Sequence, residues 1–465
     1  MKRHGYGSNV NGWRCLGILG GLSFSLFLTQ AHADPRPNVV IILADDLGYA
    51  DVGYRGSPDM KTPHIDSLAN HGIQFSAGYV TAPVCAPSRA GLQSGLYQNR
   101  FGAEDNPGPY KLSKDVRIGI PATVNTLAKR MKSLGYRTGM IGKSHAGNAL
   151  EFHPNASGYD EFFGFINGAS NYRADGHWGT KINEPAHPLL RNHEKVEETE
   201  YLTDAFGREA VAFIERWKDQ PFFLEVPFNA IHGPMQATDE DLARFSHIKD
   251  PHRRCAVSMA YRLDLNVGRI LDALRKNNLE TNTIVFFLSD NGGKFDDNGS
   301  LNAPLRGTKN QLWEGGIRVP FCLQWPAQVK AGRTIDIPVI TLDILPTVIA
   351  AAGGVVTDRV DGVDLGPLLT GKVNTLPDRN LYWRFNELWA VRDSEWKLVN
   401  PRKGAKPQLF HIVTDSRESE DVSGKHPDVV QRMQDAYSAW TSGMMSKLWG
   451  WDTSFPVYDP GMGRE

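Results

Sequence analysis

Cysteine is scarce in this chain. Four residues in 465, at positions 15, 85, 255 and 322, are too few and too scattered for a disulfide scaffold. Charge of one sign is also missing: 51 Lys and Arg face 52 Asp and Glu, a formal net charge of −1. A chain so balanced is no electrostatic glove for nucleic acid, and any anion recognition must be local. Past the N-terminus no stretch is apolar enough to cross a bilayer. Internal repeats and low-complexity tracts are absent. The first predicted strand is followed by Asp45-Asp46 where a dinucleotide-binding protein would carry a Gly-rich phosphate loop, which excludes that class. What is present, 41% hydrophobic and 22% charged residues, is an ordinary globular composition, at a length that predicts two domains.

Residues 1–33 read as a secretory signal. Lys2, Arg3 and Arg14 supply positive charge, Leu16 to Leu28 form a broken apolar run, and Ala31-His32-Ala33 fits small-x-small cleavage. An uncleaved anchor is the alternative, but the run is short for a span. The expected mature protein is exported, to periplasm or medium, with no membrane span. Cys15 leaves with the signal, and the odd count that remains points to one reactive or modified thiol. Cys255 and Cys322 are then left to pair or to stay buried.

Asn38 to Leu43 is a continuous apolar run, the mark of a strand buried on both faces of a parallel sheet. It ends in Asp45-Asp46, two adjacent carboxylates at the edge where open α/β sheets place ligands, and a cation is what would hold them together. Further strands are predicted at Tyr136–Ile141, Phe222–Phe228 and Thr283–Leu288. Helices are predicted at 63–69, at 123–134, from a Thr203 cap through Trp217, and at 258–276. The strands lead into Lys143 and His145, into His232, and into Asp290-Asn291. Taken singly, each tip also reads as a solvated turn or a surface lysine; four in succession converge on one edge. Alternation of strand and helix predicts an α/β fold with a large, mainly parallel sheet flanked by helices. Past residue 350 the pattern changes. Leu381–Arg384, Trp389–Arg392, Trp396–Val399 and Leu409–His411, with a closing helix at 426–443, predict a smaller antiparallel sheet with one helix. The expected division is 1–33 signal, 34–370 catalytic α/β domain and 371–465 C-terminal domain.

The run Cys85-Ala86-Pro87-Ser88-Arg89 precedes a short helical stretch. A proline in the first turn puts Cys85 at a helix N-terminus, where the dipole favours negative charge, with Arg89 one turn on along the same face. Asp45, Asp46, Asp290 and Asn291 offer only oxygen ligands, which suit a hard divalent cation, Ca²⁺ or Mg²⁺, and not zinc.

The run from Cys85 to Gly95, Cys-x-Pro-Ser-Arg-x-x-x-x-Ser-Gly, resembles the signature of the type I sulfatases of the alkaline-phosphatase superfamily. So do Asn38 to Gly48, Gly142 to His145, His232 with Pro234, Ser289 to Gly293, and Leu305-Arg306-Gly307-Thr308-Lys309 running on to Pro320. The motifs stand in the family's order over most of the chain. The resemblance implies that Cys85 is oxidised to formylglycine by a maturation enzyme. It implies too that Asp45, Asp46, Asp290 and Asn291 bind one Ca²⁺ with residue 85, and that Arg89, Lys143, His145, His232 and Lys309 surround formylglycine and sulfate. The implied chemistry is sulfate ester hydrolysis through an aldehyde hydrate and a covalent sulfo-enzyme, with His232 as acid to the leaving oxygen and His145 as partner of the hydrate. Ser144 and Ala146 stand where the family often has a bulky Trp and Leu.

An exported member with a long insert between strands most resembles the carbohydrate sulfatases, and the expected substrate is a sulfated polysaccharide or oligosaccharide. Arg173, Asp175, His177 and Trp178 form a candidate sugar-binding lip, to which Arg306 is added. Two alternatives stand beside this reading. One is a phosphodiesterase or phosphonate monoester hydrolase of the same superfamily. The other is a catalytically silent, calcium-stabilised carbohydrate-binding protein. The sequons at Asn155 and Asn298 carry little weight, because nothing fixes a eukaryotic source.

Overall fold

A computed structural model describes residues 36–107, 118–147, 150–173 and 188–449. The predicted signal, and Asp175, His177 and Trp178 of the candidate lip, lie outside the described residues. Among the described residues ten strands build the principal sheet. Their order across it is Arg333–Ile335, Ile73–Phe75, Phe321–Gln324, Thr283–Ser289, Asn38–Ala44, Phe222–Pro227, Arg137–Lys143, Glu161–Phe165, Leu189–Arg191 and Glu194–Val196. Asn38–Ala44 lies between Phe222–Pro227 and Thr283–Ser289 and runs parallel to both, in registers that pair Val39 with Phe223 and Ala44 with Ser289. Antiparallel pairs occur toward the edges, as where Phe321–Gln324 meets Thr283–Ser289.

The central strand explains its own apolar run. All seven residues of Asn38–Ala44 are buried, and successive side chains alternate between two cores. Val40, Ile42 and Ala44 join Phe206, Phe213, Leu263 and Ile270 from the helices Leu202–Trp217 and Pro251–Lys276. Val39, Ile41 and Leu43 join Leu127, Met131, Leu345 and Val348 from Leu127–Ser133 and Ile344–Ala351. The result is three layers, helix on sheet on helix. Burial of each large aliphatic side chain stabilises by about 1.5–3 kcal/mol.

Three helix starts differ from expectation, each for a local reason. The helix expected from 123 begins at Leu127, because the Thr126 hydroxyl accepts from Lys129 N and caps it there. The helix expected from 258 begins at Pro251, because Asp250 accepts from Arg253 N and Pro251 fits the first turn. Thr203 lies inside its helix, whose first residue is Leu202.

The smaller antiparallel sheet is present as Leu381–Phe385, Leu388–Arg392, Trp396–Asn400 and Gln408–His411, with the closing helix Pro427–Ser442. It is bonded directly to the rest: Trp383 Nε1 donates to Val80 O at 2.7 Å and Asn99 Nδ2 to Arg384 O at 3.2 Å. Buried Lys397 is held between Glu314 Oε1 and Glu418 Oε1, each at 2.8 Å. Cys255 and Cys322 are two separate buried thiols. Among the described residues no helix is long and apolar enough to cross a membrane.

Candidate active site

The parallel registers bring the strand ends level, so the residues that follow them meet. Beyond the strand, Asp45 N donates to Ala230 O at 2.9 Å and Ile231 N to Asp45 O at 2.8 Å. Asp290 N donates to Ala44 O at 3.0 Å, which ties three strand tips together. Asp46 adopts a left-handed backbone, φ +59°. That conformation is unfavourable for most residues and tolerable for Asp. It lets Asp46 N donate to Asp290 Oδ1 at 3.2 Å.

Cys85 is the first residue of the helix Cys85–Ser94, and its side chain is fully buried. Its Sγ lies 3.4 Å from Asp45 Oδ1, 3.9 Å from Asp46 Oδ1 and 3.5 Å from Lys309 Nζ. One turn along, Arg89 Nε donates to Asp290 Oδ2 at 2.9 Å and Nη1 to Lys143 O at 2.8 Å. Lys143 Nζ pairs with Asp45 Oδ2 at 2.5 Å, and Lys309 Nζ with Asp46 Oδ2 at 2.7 Å. Asn291 Nδ2 donates to Asp46 Oδ1 at 2.7 Å. His232 Nε2 stands 3.8 Å from Asp46 Oδ2, while its Nδ1 meets Gly233 O at 2.6 Å. Three carboxylates and three fixed cations therefore surround one thiol, at an edge where Asp45 and Lys143 are wholly buried and the His232 side chain is 24% exposed.

Electrostatics follow from burial and crowding. Burial pushes the Cys85 thiol far up despite Lys143 and Lys309, so the cysteine itself is a protonated, poor nucleophile. Burial also raises Asp46, but Lys309, His232 and Lys143 outweigh it and hold the carboxyl well below the usual range. Asp290 is pushed up to about 6 by burial and by Asp45, against the pull of Arg89. Burial with Lys143 and Lys309 drives His232 down to about 3. His145 is lowered by burial, then by Lys143, Arg89, His232 and Lys309, which places it in the same cluster; its φ is +49° and its buried Nδ1 has no hydrogen-bond partner among the described residues.

A cation fits this donor set. Asp45, Asp46, Cys85 and Asp290 each offer a ligand atom within 4.8 Å of the others. Asn291 Oδ1, buried and without a partner among the described residues, supplies one more oxygen to the same cluster. An orphaned buried carbonyl beside three carboxylates is what a hard divalent ion satisfies.

Arg173 and Arg306, also named from the sequence, are engaged with partners of their own. Arg173 pairs with Asp239 at 3.2 Å, next in the chain to buried Tyr172, whose hydroxyl donates to His232 O at 2.8 Å. Arg306 stacks on Trp313 at 3.7 Å and donates to Glu418 O at 2.9 Å. A groove of about 500 Å³ lined by Asp378, Arg379, Asp393 and Arg432 is not this site, and its arginines are already paired, with Asp343 and with Asp393.

Sequence reasoning missed the supports. Asn298, fully buried, donates to Asp46 O at 3.0 Å and to Ile231 O at 3.2 Å, fixing both the Asp46 loop and the His232 loop. As a sequon residue it signalled glycosylation, and burial rules that use out. Ser289 Oγ accepts from Leu47 N at 2.9 Å, and Asn106 Oδ1 accepts from Ala86 N at 2.9 Å beside Cys85. Ser289 opens the motif Ser289 to Gly293, but its bond to Leu47, like that of Asn106 to Ala86, joins another segment and has no spacing of its own.

Comparison with known proteins agrees with this geometry. The sulfatase family profile matches residues 37–355, and that of the N-sulphoglucosamine sulphohydrolase C-terminal region matches 308–439. N-acetylgalactosamine-6-sulfatase of Canis lupus familiaris is 33% identical over 418 residues, covering 83% of this chain and 75% of that protein. Arylsulfatase H of Canis lupus familiaris is 30% identical over 429 residues, 73% of each. Among solved structures, Ps i-CgsB in complex with k-i-k-neocarrahexaose superposes with a TM-score of 0.85 at 38% identity, covering 90% of this chain and 96% of that one. A thiol at a helix N-terminus among carboxylates and cations, on this sheet edge and in relatives of these names, makes the chain a member of the sulfatase family, a sulfuric ester hydrolase.

Proposed function

We propose that the chain hydrolyses sulfate esters on a sulfated carbohydrate, with residue 85 acting after oxidation to formylglycine and with one Ca²⁺ held by Asp45, Asp46, Asp290 and Asn291. The observation that carries this is Cys85 Sγ, within 3.5 Å of both Asp45 and Lys309, buried and protonated as a thiol yet placed where a nucleophile is needed. Oxidation of Cys85 supplies, as a hydrate, a hydroxyl nucleophile whose second hydroxyl offers an exit closed to Ser or Cys. The divalent ion, when bound, adds positive charge beside the sulfuryl oxygens.

The chain's own residues do the rest. Arg89 is aimed by Asp290 and by Lys143 O, so its guanidinium is fixed before substrate arrives. Lys143 and Lys309 carry their charges into the site as anchors for the sulfuryl oxygens. His232 Nδ1 donates to Gly233 O, which leaves Nε2 as the ring atom open to the leaving oxygen. His145, with a free Nδ1, holds the nucleophilic hydroxyl. Residues 34–370 are read as the catalytic domain and 371–465 as its C-terminal partner. The signal-like residues 1–33 support export to periplasm or medium. The carbohydrate class rests on relatives: one is an N-acetylgalactosamine-6-sulfatase, and a solved neighbour holds a neocarrahexaose.

The test is a mass measurement of the peptide holding Cys85, paired with turnover of matched aryl sulfate and aryl phosphate esters. An aldehyde mass, with sulfate hydrolysed faster than phosphate, is expected, and release of sulfate from carrageenan or N-acetylgalactosamine-6-sulfate oligosaccharides then identifies the sugar. A native thiol with no sulfate ester turned over sinks the proposed chemistry. Faster phosphate turnover points to the phosphodiester alternative.

A further inference from the structure

The cluster behind the Cys85 helix contains a residue from the far end of the described chain. Ala86, Ala90, Phe101, Ala103, Ile118, Ile120, Ala146 and Trp449 form one apolar core, separate from the two that flank the sheet. Ala86 and Ala90 are one turn apart on the Cys85–Ser94 helix, immediately beside Cys85 and Arg89. Ala146 follows His145. Small side chains from both the Cys85 helix and the His145 segment thus leave a socket in this core, and its largest side chain is the indole of Trp449, 2% exposed, which packs on Phe101 with ring centroids 6.3 Å apart.

The strand of chain carrying Trp449 is tied down over this socket. Met445 N donates to Asn99 O at 3.0 Å, Leu448 N to Gly102 O at 2.8 Å and Trp449 N to Gly102 O at 3.0 Å. Lys447 Nζ donates to Asn386 Oδ1 at 2.5 Å. A Cβ at Gly102 would lie 2.6 Å from Leu448 Cγ, so only glycine admits this approach. The loop it grips runs on to Asn106, whose side chain caps Ala86 N. On the other flank Ile120 N donates to Ala146 O at 3.2 Å. The backbone bonds to Asn99 and Gly102 end on the segment that leads to Asn106 and Ala86, while Asn386 and Arg384 tie the strap to the smaller sheet.

We infer that the C-terminal strap 443–449 is part of the catalytic apparatus, with Trp449 a positioning residue that fills the Ala86–Ala90–Ala146 socket and fixes the Cys85 helix against His145. The inference rests on the proposed function, since residue 85 must be the nucleophile for its placement to matter. Trp449 touches no reacting atom. Its loss lets the helix and the His145 turn relax toward the vacated volume, and shifts of about 1 Å at a reacting centre cost up to about 100-fold in rate.

The experiment compares Trp449→Ala, Trp449→Leu and Trp449→Phe with the parent on a small aryl sulfate, which has no glycan to contact. Rates are expressed per converted residue 85, and amide exchange is followed over residues 86–94. The expected result is a kcat loss on the order of tenfold for Trp449→Ala. It should be smaller for Leu and slight for Phe, with KM nearly unchanged and faster exchange at Ala86 and Ala90. Ala146→Leu should impair the parent and partly rescue Trp449→Ala, by refilling the socket from the other side. Folded Trp449 variants with parental kcat per converted site and unchanged exchange overturn the inference. So does a loss that tracks only the unfolded fraction. If Trp449→Ala does not fold, the Leu and Phe variants decide by the same criteria. An inactive parent refutes the hydrolase reading instead, and protection at residues 86–94 then decides the strap's role alone.

Discussion

Replacing Asn298 by alanine tests whether the site is held by buried hydrogen bonds that no motif records. Asn298 is fully buried and its Nδ2 serves two carbonyls, Asp46 O and Ile231 O, while its Oδ1 accepts from Ser300 N at 3.1 Å and from Lys294 N at 3.4 Å. Alanine leaves two acceptors and two donors without these partners. At about 1 kcal/mol for each, the expected destabilisation is about 4 kcal/mol. The same bonds set Asp46, in its left-handed conformation, and the residue preceding His232, so the site loosens as well. A fall in kcat/KM of about 10- to 100-fold on an aryl sulfate is expected. Urea unfolding followed by fluorescence gives the stability, and initial rates at saturating Ca²⁺ give the activity. A variant within about 1 kcal/mol of the parent with undiminished kcat/KM would refute the reasoning, because the four bonds would then carry neither fold nor site.

Three further outcomes follow from the geometry. Lys397→Met leaves Glu314 and Glu418 facing each other without their shared cation, a break worth about 3–5 kcal/mol; adding Glu418→Gln should recover part of the urea midpoint. Asp264 accepts from Ile65 N at 2.8 Å, yet burial pushes it up to about 7 from an ordinary 3.8. A carboxyl that holds its proton more tightly when folded favours the native state most below its unfolded pKa. That contribution is lost as pH rises through the folded value. Asp264→Asn should therefore flatten the fall in urea midpoint between about pH 4 and 7, and an unchanged slope counts against it. Chelation with EGTA should abolish aryl sulfate turnover and lower the melting temperature, and Ca²⁺ should restore both. Full activity in EGTA would remove the metal from the proposal.

The strands were legible because a parallel central strand must be apolar on both faces, and Asn38 to Leu43 says so without reference to anything else. The polar edge was legible for a related reason: polar residues that follow buried strands fall on one edge of such a sheet. Helix starts were less so. At Thr126 and Asp250 the cap lies outside the apolar periodicity from which the helix was read. Arg306 shows the limit for single side chains. Its motif is local, but its stacking on Trp313 and its bond to Glu418 join segments far apart in the chain.

By itself the sequence determined the class of fold, the exchange of periodicities near residue 350, and the set of groups at the sheet edge. Those are properties of neighbours along the chain, carried by spacings of two and of about 3.6 residues. Only the tertiary structure decided which distant side chains hold that edge in shape. Asn298 under Asp46 and Ile231, Lys397 between two glutamates, and Trp449 behind the Cys85 helix each pair residues from remote segments. Such pairings depend on volume left empty and on buried polar atoms left unpartnered, and neither quantity exists until the chain has folded.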